Sequence, residues 1–345
     1  MKIIEPSYEI LDRRNMDAAQ KIEMAGRLAY KSEDKITADS SKAFFRKMID
    51  HKHFPVIEFS NVHVYVKITR PLPEECEYDN TQDVIDDFLG SMFNEKFLQI
   101  SPIIESDLLV GFVVSGTVRA FVESLSWDQI ENVNYIEKLI MVELTKNKDI
   151  FPMHLPDADF YKGPGSIDIF LINPEKVKEL VPNFYESHLM CAVRFIHNRA
   201  FTHELVRHRP CSFIQESQRY CRYSESKFGN EVTFISPSAF FQVPEKITEP
   251  FSKDIQFCHE FMEWMWSMEE SEKSYLKLLK TSSPQAARTV LPNSCKTEII
   301  LYATITEWKH IFKMRCPTAA EPSMRQVMLP LHMDFFTEYN MQLWE

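Results

Sequence analysis

Glycine is scarce in this chain, with only 7 among 345 residues. Neither GxGxxG nor GxxxxGK[ST] occurs, so the glycine-rich loops that cradle phosphates in dinucleotide-binding and P-loop folds are excluded. A nucleotide phosphate, if one binds, would have to be held by arginine side chains and helix N-termini instead.

Hydrophobic periodicity predicts both helices and strands along the chain. Apolar residues at helical spacing predict helices over 17–30, 40–50, 200–208 and 253–280. Alternating or β-branched runs predict strands over 62–70, 190–198 and 296–303, the last followed directly by a helix.

The stretch 71–185 is less regular than the parts of the chain on either side of it. Residues 71–83 form a polar linker in composition, and 107–116 are an apolar run typical of a buried strand. Residues 117–147 suggest helices, and a loop with three prolines and two glycines follows.

The formal net charge of −11 disfavours binding to a nucleic-acid duplex, because such proteins usually present a basic surface. The basic residues are concentrated locally instead, over residues 207–222. A cationic pocket in an acidic protein suits a small anion, such as the phosphate of a nucleotide.

Seven cysteines, an odd number without CxxC spacing, argue against a disulfide scaffold and a structural zinc site. The first residues lack the apolar run of a signal peptide, and no run of about 18 apolar residues occurs. We therefore expect a cytoplasmic protein without a membrane span.

Residues 207–220, RHRPCSFIQESQRY, combine three consecutive basic side chains with two further serines and another arginine. Basic side chains at the end of a helix also interact favourably with the helix dipole, which is the purely structural explanation. If these groups share one short loop, they could instead hold a phosphate by charge-assisted hydrogen bonds. Both explanations stay open on the residues alone.

The same segment resembles the signature of the flavin-dependent thymidylate synthases, in which RHR is followed by a serine and then by SxRY. The similarity extends through FIHNRAFTHELV (195–206) and CRYS (221–224). Other stretches that resemble the family are MKIIEPSYEIL (1–11), GRLAYKSEDKIT (26–37), His53 with Glu58, ARTVLPNS (287–294), and Lys296, Thr297, Glu298, Glu307, Trp308, His310, Arg315, Pro322, Met324 and Arg325.

This resemblance implies an α/β fold of the α+β type, with a mixed or antiparallel sheet flanked by helices. Residues 1–70 and 186–345 would form the catalytic domain. Residues 71–185 would be an inserted, largely helical subdomain, for which a structural or interface role is expected.

The resemblance also assigns roles to individual residues. The side chains implied to bind dUMP are Gln215, Ser217, Arg219, Arg288 and Arg315. Those implied to contact FAD or folate are His53, Arg207, His208, Arg209 and His310. Ser217 and Arg315 are the implied catalytic residues, with Arg315 polarising the pyrimidine.

The implied reaction is the reductive methylation of dUMP to dTMP, with FAD as cofactor and NADPH and methylenetetrahydrofolate as co-substrates. Cationic side chains suit this chemistry, because negative charge must develop on the uracil ring and a fixed cation stabilises it. The family's active sites lie between subunits of a homotetramer, so Arg288 would come from another subunit. No metal ion, nucleic acid or membrane is expected.

Five positions depart from the family pattern: Ile214, Ala286, Thr304, Thr306 and Glu321. Thr306 replaces an arginine that would contact FAD, and Glu321 would repel an anionic ligand. Arg119, in the inserted stretch, is one candidate substitute for the missing cation. These changes leave two alternatives open, namely methylation or hydroxymethylation of another pyrimidine nucleotide, or a non-catalytic nucleotide-binding subunit.

Cys211 follows a proline, as does the nucleophile of the unrelated cysteine-dependent thymidylate synthases. The surrounding residues do not match that family, and a small buried side chain is the preferred interpretation.

Overall fold

A computed structural model of the chain describes residues 1–13, 16–69, 86, 88–90, 98–106, 108–124, 134–151, 167–225, 228–241, 243 and 259–339. Its strands are β1 (Lys2–Ile4), β2 (Ser7–Ile10), β3 (Asn61–Ile68), β4 (Leu98–Glu105), β5 (Leu108–Thr117), β6 (Ile167–Ile172), β7 (Met190–Asn198), β8 (Ser212–Gln215), β9 (Thr233–Ile235) and β10 (Lys296–Thr304). Its helices are α1 (Ala18–Tyr30), α2 (Ser40–Asp50), α3 (Val118–Ser124), α4 (Tyr135–Thr145), α5 (Pro174–Leu180), α6 (Tyr185–His188), α7 (Arg199–Leu205), α8 (His259–Leu278), α9 (Pro284–Ala287), α10 (Ile305–Arg315) and α11 (Pro322–Tyr339).

Two four-stranded antiparallel sheets organise these elements. The first sheet has the strand order β2-β7-β10-β8, and the second sheet has the order β4-β5-β3-β6. Strands β1 and β9 form a separate parallel pair. The expected α/β fold with antiparallel sheet and flanking helices is confirmed. No helix among the described residues is long and apolar enough to cross a bilayer.

Strand β10 is the centre of the first sheet and is buried on both faces over residues 297–303. On one face it packs with apolar side chains of α10 and α11, among them Trp308 and Phe335. On the other face it packs with side chains of α1, including Leu28. Burial on both faces explains why residues 299–303 of the strand are continuously apolar instead of alternating.

The stretch 71–185, which was predicted to be a largely helical insertion, contains the helices α3, α4 and α5 and also contributes strands to the second sheet. Three of the four strands of this sheet, β4, β5 and β6, come from it, and the fourth is β3, which precedes it. Strand β3 lies between β5 and β6 and pairs with both. Gly111 of β5 crosses β3 so closely that a Cβ atom would lie 2.2 Å from the carbonyl oxygen of Val66. The polar linker predicted over 71–83 lies outside the described residues.

A buried group of hydrogen bonds, the histidine–serine network, joins the second sheet to helix α6. Its members are His63, Ser101, Ser115 and His188, each no more than 6% exposed. The Ser115 hydroxyl lies 2.7 Å from Nδ1 of His63 and 2.8 Å from Nδ1 of His188, whose Nε2 is 2.8 Å from the Ser101 hydroxyl. Burial lowers the pKa of both histidines to about 4, so both rings are neutral at pH 7.

Helix α1 confirms its prediction and prepares one wall of the candidate site. It begins at a capping box formed by Asp17 and Gln20, and it ends at Lys31, whose φ of 50° is left-handed. That turn exposes the carbonyl oxygen of Ala29, which accepts a hydrogen bond from the amide of Ser217 at 2.9 Å. The end of α1 is therefore hydrogen-bonded to residues 207–220, the signature segment.

Candidate active site

The signature segment lies along the edge of the first sheet. Strand β8 runs antiparallel to β10, with Ser212 opposite Tyr302 and Gln215 opposite Ile299. The three basic residues lie in the loop before β8 (206–211, the basic loop), and Ser217 and Arg219 lie in the loop after it (216–224, the serine loop). At a rise of about 3.3 Å per residue, the strand separates these loops by roughly 10 Å. The expectation of one short loop is therefore wrong.

His208 is the buried residue of the basic loop, and it is held by Arg315 at the end of α10. Nε of Arg315 donates to Nε2 of His208 at 3.0 Å. The same guanidinium donates to the side chain of Glu204 at 2.6 Å and to its carbonyl oxygen at 3.0 Å. The structure thus brings the predicted residues His208 and Arg315 together and fixes the plane of the guanidinium.

The protonation of His208 follows from these contacts. Burial lowers its pKa to about 4, and the charges of Arg315 and His310 act in the same direction. The neutral ring accepts at Nε2, so its proton is on Nδ1, which lies 3.9 Å from Oε1 of Glu307. That oxygen is buried and has no hydrogen-bond partner among the described residues.

His208, Glu307 and His310 together have the residue types of a metal site, with ligand atoms within 4.8 Å of one another. Binding of a metal ion at Nδ1 would move the ring proton to Nε2, where it would face the N–H of Arg315. Two donors would then oppose each other, so the geometry disfavours a metal ion.

Four predicted arginines carry charges that the fold does not neutralise. Arg207 and Arg209 are exposed beside β8, Arg219 is exposed in the serine loop, and Arg288 is half-exposed after α9. None of the four makes an ion pair with another described residue. In a chain with net charge −11, such free cations are suited to an anionic ligand.

The serine loop is a tight turn built around Ser217. Its carbonyl oxygen accepts from the amides of Tyr220 and Cys221 at 3.1 and 2.9 Å. Its hydroxyl oxygen accepts from the amide of Arg219 at 3.4 Å, which leaves the hydroxyl proton for donation to a ligand. The Arg219 guanidinium lies 5.5 Å from the ring centre of Tyr220.

Gln215 is anchored through its side-chain amide. Its amide nitrogen donates to the hydroxyls of Thr202 on α7 and Thr297 on β10, at 3.0 and 3.2 Å. Its carbonyl oxygen remains for a ligand, and its binding of dUMP stays a prediction.

His53 and Arg288 lie in turns outside the basic loop and the serine loop. His53 is exposed just before the 3₁₀ turn Phe54–Glu58, and Arg288 begins the turn Arg288–Val290. Among the described residues, no hydrogen bond or ion pair joins either side chain to His208, Ser217 or Arg219. Their roles stay predictions that require a second subunit or the ligand itself.

The comparisons with known proteins concern mainly the C-terminal half. Residues 174–335 match the model of the family described as thymidylate synthase complementing protein. The flavin-dependent thymidylate synthase of Pyrococcus abyssi is 33% identical over 131 residues, covering 38% of this chain and 47% of the relative. That of Corynebacterium glutamicum is 32% identical over 133 residues, covering 38% of this chain and 50% of the relative.

The resemblance to the flavin-dependent thymidylate synthases is confirmed. The chain spans about half the length of the curated relatives it matches. A solved structure that is also similar is the UMP/dUMP methylase PolB of Streptomyces cacaoi bound with 5-Br UMP, with a TM-score of 0.35 and 17% identity over 48% of this chain and 78% of that chain.

Two of the five departures from the flavin-dependent thymidylate synthase pattern, Thr304 and Glu321, have local structural explanations. Thr304 caps helix α10 by accepting from the amide of Glu307 at 3.2 Å. Glu321 caps α11 by accepting from the amide of Met324 at 2.8 Å. Its charge is thus placed at the positive end of a helix, which weakens the expected repulsion of an anion. Arg119 is ion-paired with Glu58 and Glu123, so it is not a free substitute for the missing arginine.

Cys211 is poorly suited to be a nucleophile. Its side chain is half-buried, and burial raises the pKa of its thiol well above the usual range. The preference for a non-nucleophilic Cys211 agrees with this environment.

Sequence reasoning missed a buried group of charges beneath the serine loop. This ionic network consists of Lys31, Arg194, Glu216, Lys296 and Glu298. One signal was present in the sequence, because Lys296 and Glu298 stand at alternate positions in a strand that is otherwise apolar. Their partners on α1, β7 and the serine loop are distant in sequence and become visible only in the fold.

Proposed function

We propose that this chain catalyses the FAD-dependent reductive methylation of dUMP to dTMP, using methylenetetrahydrofolate and NADPH. The observation that carries the proposal is the set of arginines at both ends of β8 that form no ion pair with another described residue, within the region that matches the family. The relatives from Pyrococcus abyssi and Corynebacterium glutamicum bear the name of this activity.

The basic loop fits the anionic part of FAD. Arg207 and Arg209 offer exposed guanidinium groups for a diphosphate, and His310 lies beside them at a ring distance of 5.9 Å from His208. The unpartnered Oε1 of Glu307 offers an acceptor for a polar group of the ligand. Bound FAD, reduced by NADPH, would supply the hydride for the reaction.

The serine loop fits the nucleotide phosphate. The Ser217 hydroxyl and the Arg219 guanidinium would donate to its oxygens, and Arg288 of a second subunit would complete the clamp. This arrangement requires active sites shared between subunits, as in a homotetramer. The remaining role of Gln215 would be acceptance of a ligand N–H at Oε1.

Arg315 would stabilise charge on the pyrimidine. Glu204 and His208 hold its guanidinium in one orientation before any ligand binds. A cation that is fixed in advance stabilises developing negative charge without reorganisation during the reaction. His53 would lie by the flavin and folate.

The first test combines an absorption spectrum with an assay of tritium release from carbon 5 of labelled dUMP, in the presence of methylenetetrahydrofolate and NADPH. A flavin spectrum together with release and dTMP formation is expected. Flavin without release would favour another pyrimidine nucleotide, to be identified with a nucleotide panel. Absence of both, even with added FAD, would favour a non-catalytic nucleotide-binding subunit and would contradict the proposed activity.

A second test addresses the shared site. Ser217→Ala and Arg288→Ala are each expected to lower the affinity for dUMP roughly 10- to 100-fold, because each removes a bond to a charged phosphate. Chains of both variants co-expressed with different tags should regain about a quarter of the wild-type turnover if one site takes Ser217 and Arg288 from different subunits. No recovery in the mixed oligomer would place both residues in the same subunit's site.

A further inference from the structure

Lys296 occupies the middle of the ionic network. Its ammonium group lies 2.8 Å from Oε2 of Glu216 and also contacts Oε1 of Glu298. Glu298 is further bound by Lys31, at 2.5 Å, and by Arg194. The side chains of Glu216 and Glu298 are 1% and 6% exposed, so these charges are stabilised by one another and not by water.

Glu216 transmits this arrangement to the serine loop. It directly precedes Ser217, and its amide donates to the carbonyl oxygen of Glu298 at 2.8 Å. Its second carboxylate oxygen accepts from the hydroxyl of Tyr223 at 2.8 Å. Since Tyr223 lies near the far end of the same loop, one carboxylate holds the loop at both ends.

Lys296 itself is more enclosed than Arg219. It lies in the first position of β10, whereas Arg219 is exposed and Ser217 is half-buried. Lys296 is therefore close enough to fix the loop through Glu216 and is too enclosed, at 16% exposure, to be a primary phosphate ligand.

We propose that Lys296 is a positioning residue, which through Glu216 holds Ser217 and Arg219 in the geometry that binds the nucleotide phosphate. This inference rests on the proposed function for the identity of the ligand. Removal of the lysine charge leaves two carboxylates facing each other with one cation fewer, so Glu216 is driven toward water. The Ser217 amide then loses its fixed position opposite the carbonyl of Ala29.

The experiment compares Lys296→Met and Lys296→Arg with Lys309→Met, an exposed lysine of α10 that pairs with Glu186. Hydrogen exchange is followed at the Ser217 amide in the free protein, and dUMP binding is measured by calorimetry. Lys296→Met is expected to speed exchange at Ser217 about tenfold relative to the rest of the first sheet. It should also weaken dUMP binding about tenfold without changing the flavin spectrum. Lys296→Arg should keep the exchange at Ser217 and the affinity for dUMP close to their wild-type values. Lys309→Met should change neither quantity.

The two readouts separate this inference from the proposed function. A wild-type protein that binds no dUMP contradicts the proposed function, and exchange at Ser217 then decides the role of Lys296 in holding the loop. Unchanged exchange and affinity in Lys296→Met would overturn the inference. Equal acceleration throughout the first sheet would also overturn it, because it assigns Lys296 to general stability. If Lys296→Met does not fold, Lys296→Met with Glu216→Gln removes both charges, and the same local loosening is expected.

Discussion

Two buried polar groups connect distant parts of this chain, and they differ in charge. The histidine–serine network beside α6 is neutral and is held by hydrogen bonds through the hydroxyl of Ser115. The ionic network beneath the serine loop is fully charged and alternates cations with carboxylates. Loss of one partner from a neutral network leaves an unsatisfied dipole, whereas loss of one charge leaves an uncompensated ion. A single substitution in the ionic network is therefore expected to lower the stability more than one in the histidine–serine network.

The two networks are also sensitive to different ranges of pH. Burial lowers the pKa of His63 and His188 to about 4, so acid favours the unfolded state once the pH falls below the ordinary value of 6.5. Burial alone would raise the pKa of Glu298, yet Lys296, Lys31 and Arg194 together lower it to about 2. Its contribution is present above the ordinary value of 4.5 and is lost as the pH falls toward about 2.

The largest effect is expected for Glu298→Gln. Three cations then lose their shared carboxylate, and the free energy of unfolding should fall by about 3–5 kcal/mol. Urea unfolding at pH 7 measures this, with Glu179→Gln as the control. Glu179 forms an exposed ion pair with Lys176, so its loss should change stability by no more than about 1 kcal/mol. Similar losses in the two variants would mean that the buried Glu298 contributes no more to stability than an exposed ion pair.

The second prediction concerns acid. Between pH 6.5 and about 4, the unfolded histidines bind protons that the folded ones do not. Each such histidine should lower the free energy of unfolding by roughly 1.4 kcal/mol for every pH unit below 6.5. His188→Asn should reduce the slope by that amount, as measured by urea unfolding at several pH values. A slope that stays unchanged would show that His188 becomes protonated within the folded protein.

Ser115→Ala is expected to have an intermediate effect at neutral pH. It removes the hydroxyl that both Nδ1 atoms contact, so the loss of stability should be about 1–3 kcal/mol. Thermal unfolding followed by circular dichroism would measure it. A loss of stability equal to that of Glu298→Gln would mean that losing a charged partner is no more destabilising than losing a neutral one.

The smallest effect is expected for Ser101→Ala, which removes only the contact to Nε2 of His188. A loss of about 1 kcal/mol is expected, because the bond to Ser115 remains. The double variant of Ser101 and Ser115 tests the coupling between the two contacts. Strictly additive losses would indicate two independent hydrogen bonds instead of a network.

Much of the first sheet and its helices could be predicted from sequence. Strands β7 and β10 are long apolar runs, and α2 was predicted over the residues it occupies. Two of the four strands of the second sheet, β4 and β6, were not foreseen. Its edge strand β4 contains Pro102, which disfavours a strand assignment but is tolerated at an edge. Only β3 and β5 carried a clear strand pattern.

In the candidate site, too, some features could be predicted from the sequence and others could not. Arg207, Ser217 and Arg219 could be identified because they stand within one recognisable motif. The contacts of Arg315 with His208 and of Lys296 with Glu216 could not be predicted from the sequence. The two residues of each pair are 107 and 80 positions apart. Local patterns specify elements and motifs, while the hydrogen bonds and charges that orient a motif depend on tertiary packing.

The interior place of β3 has a consequence for modularity. Both of its hydrogen-bonded neighbours, β5 and β6, come from the stretch 71–185. Removal of that stretch would leave the eight residues of β3 without a hydrogen-bonded neighbour on either side. Their unpaired backbone groups could then pair with strands of other molecules. A shortened chain is thus expected to aggregate, since residues 71–185 supply both neighbours of β3.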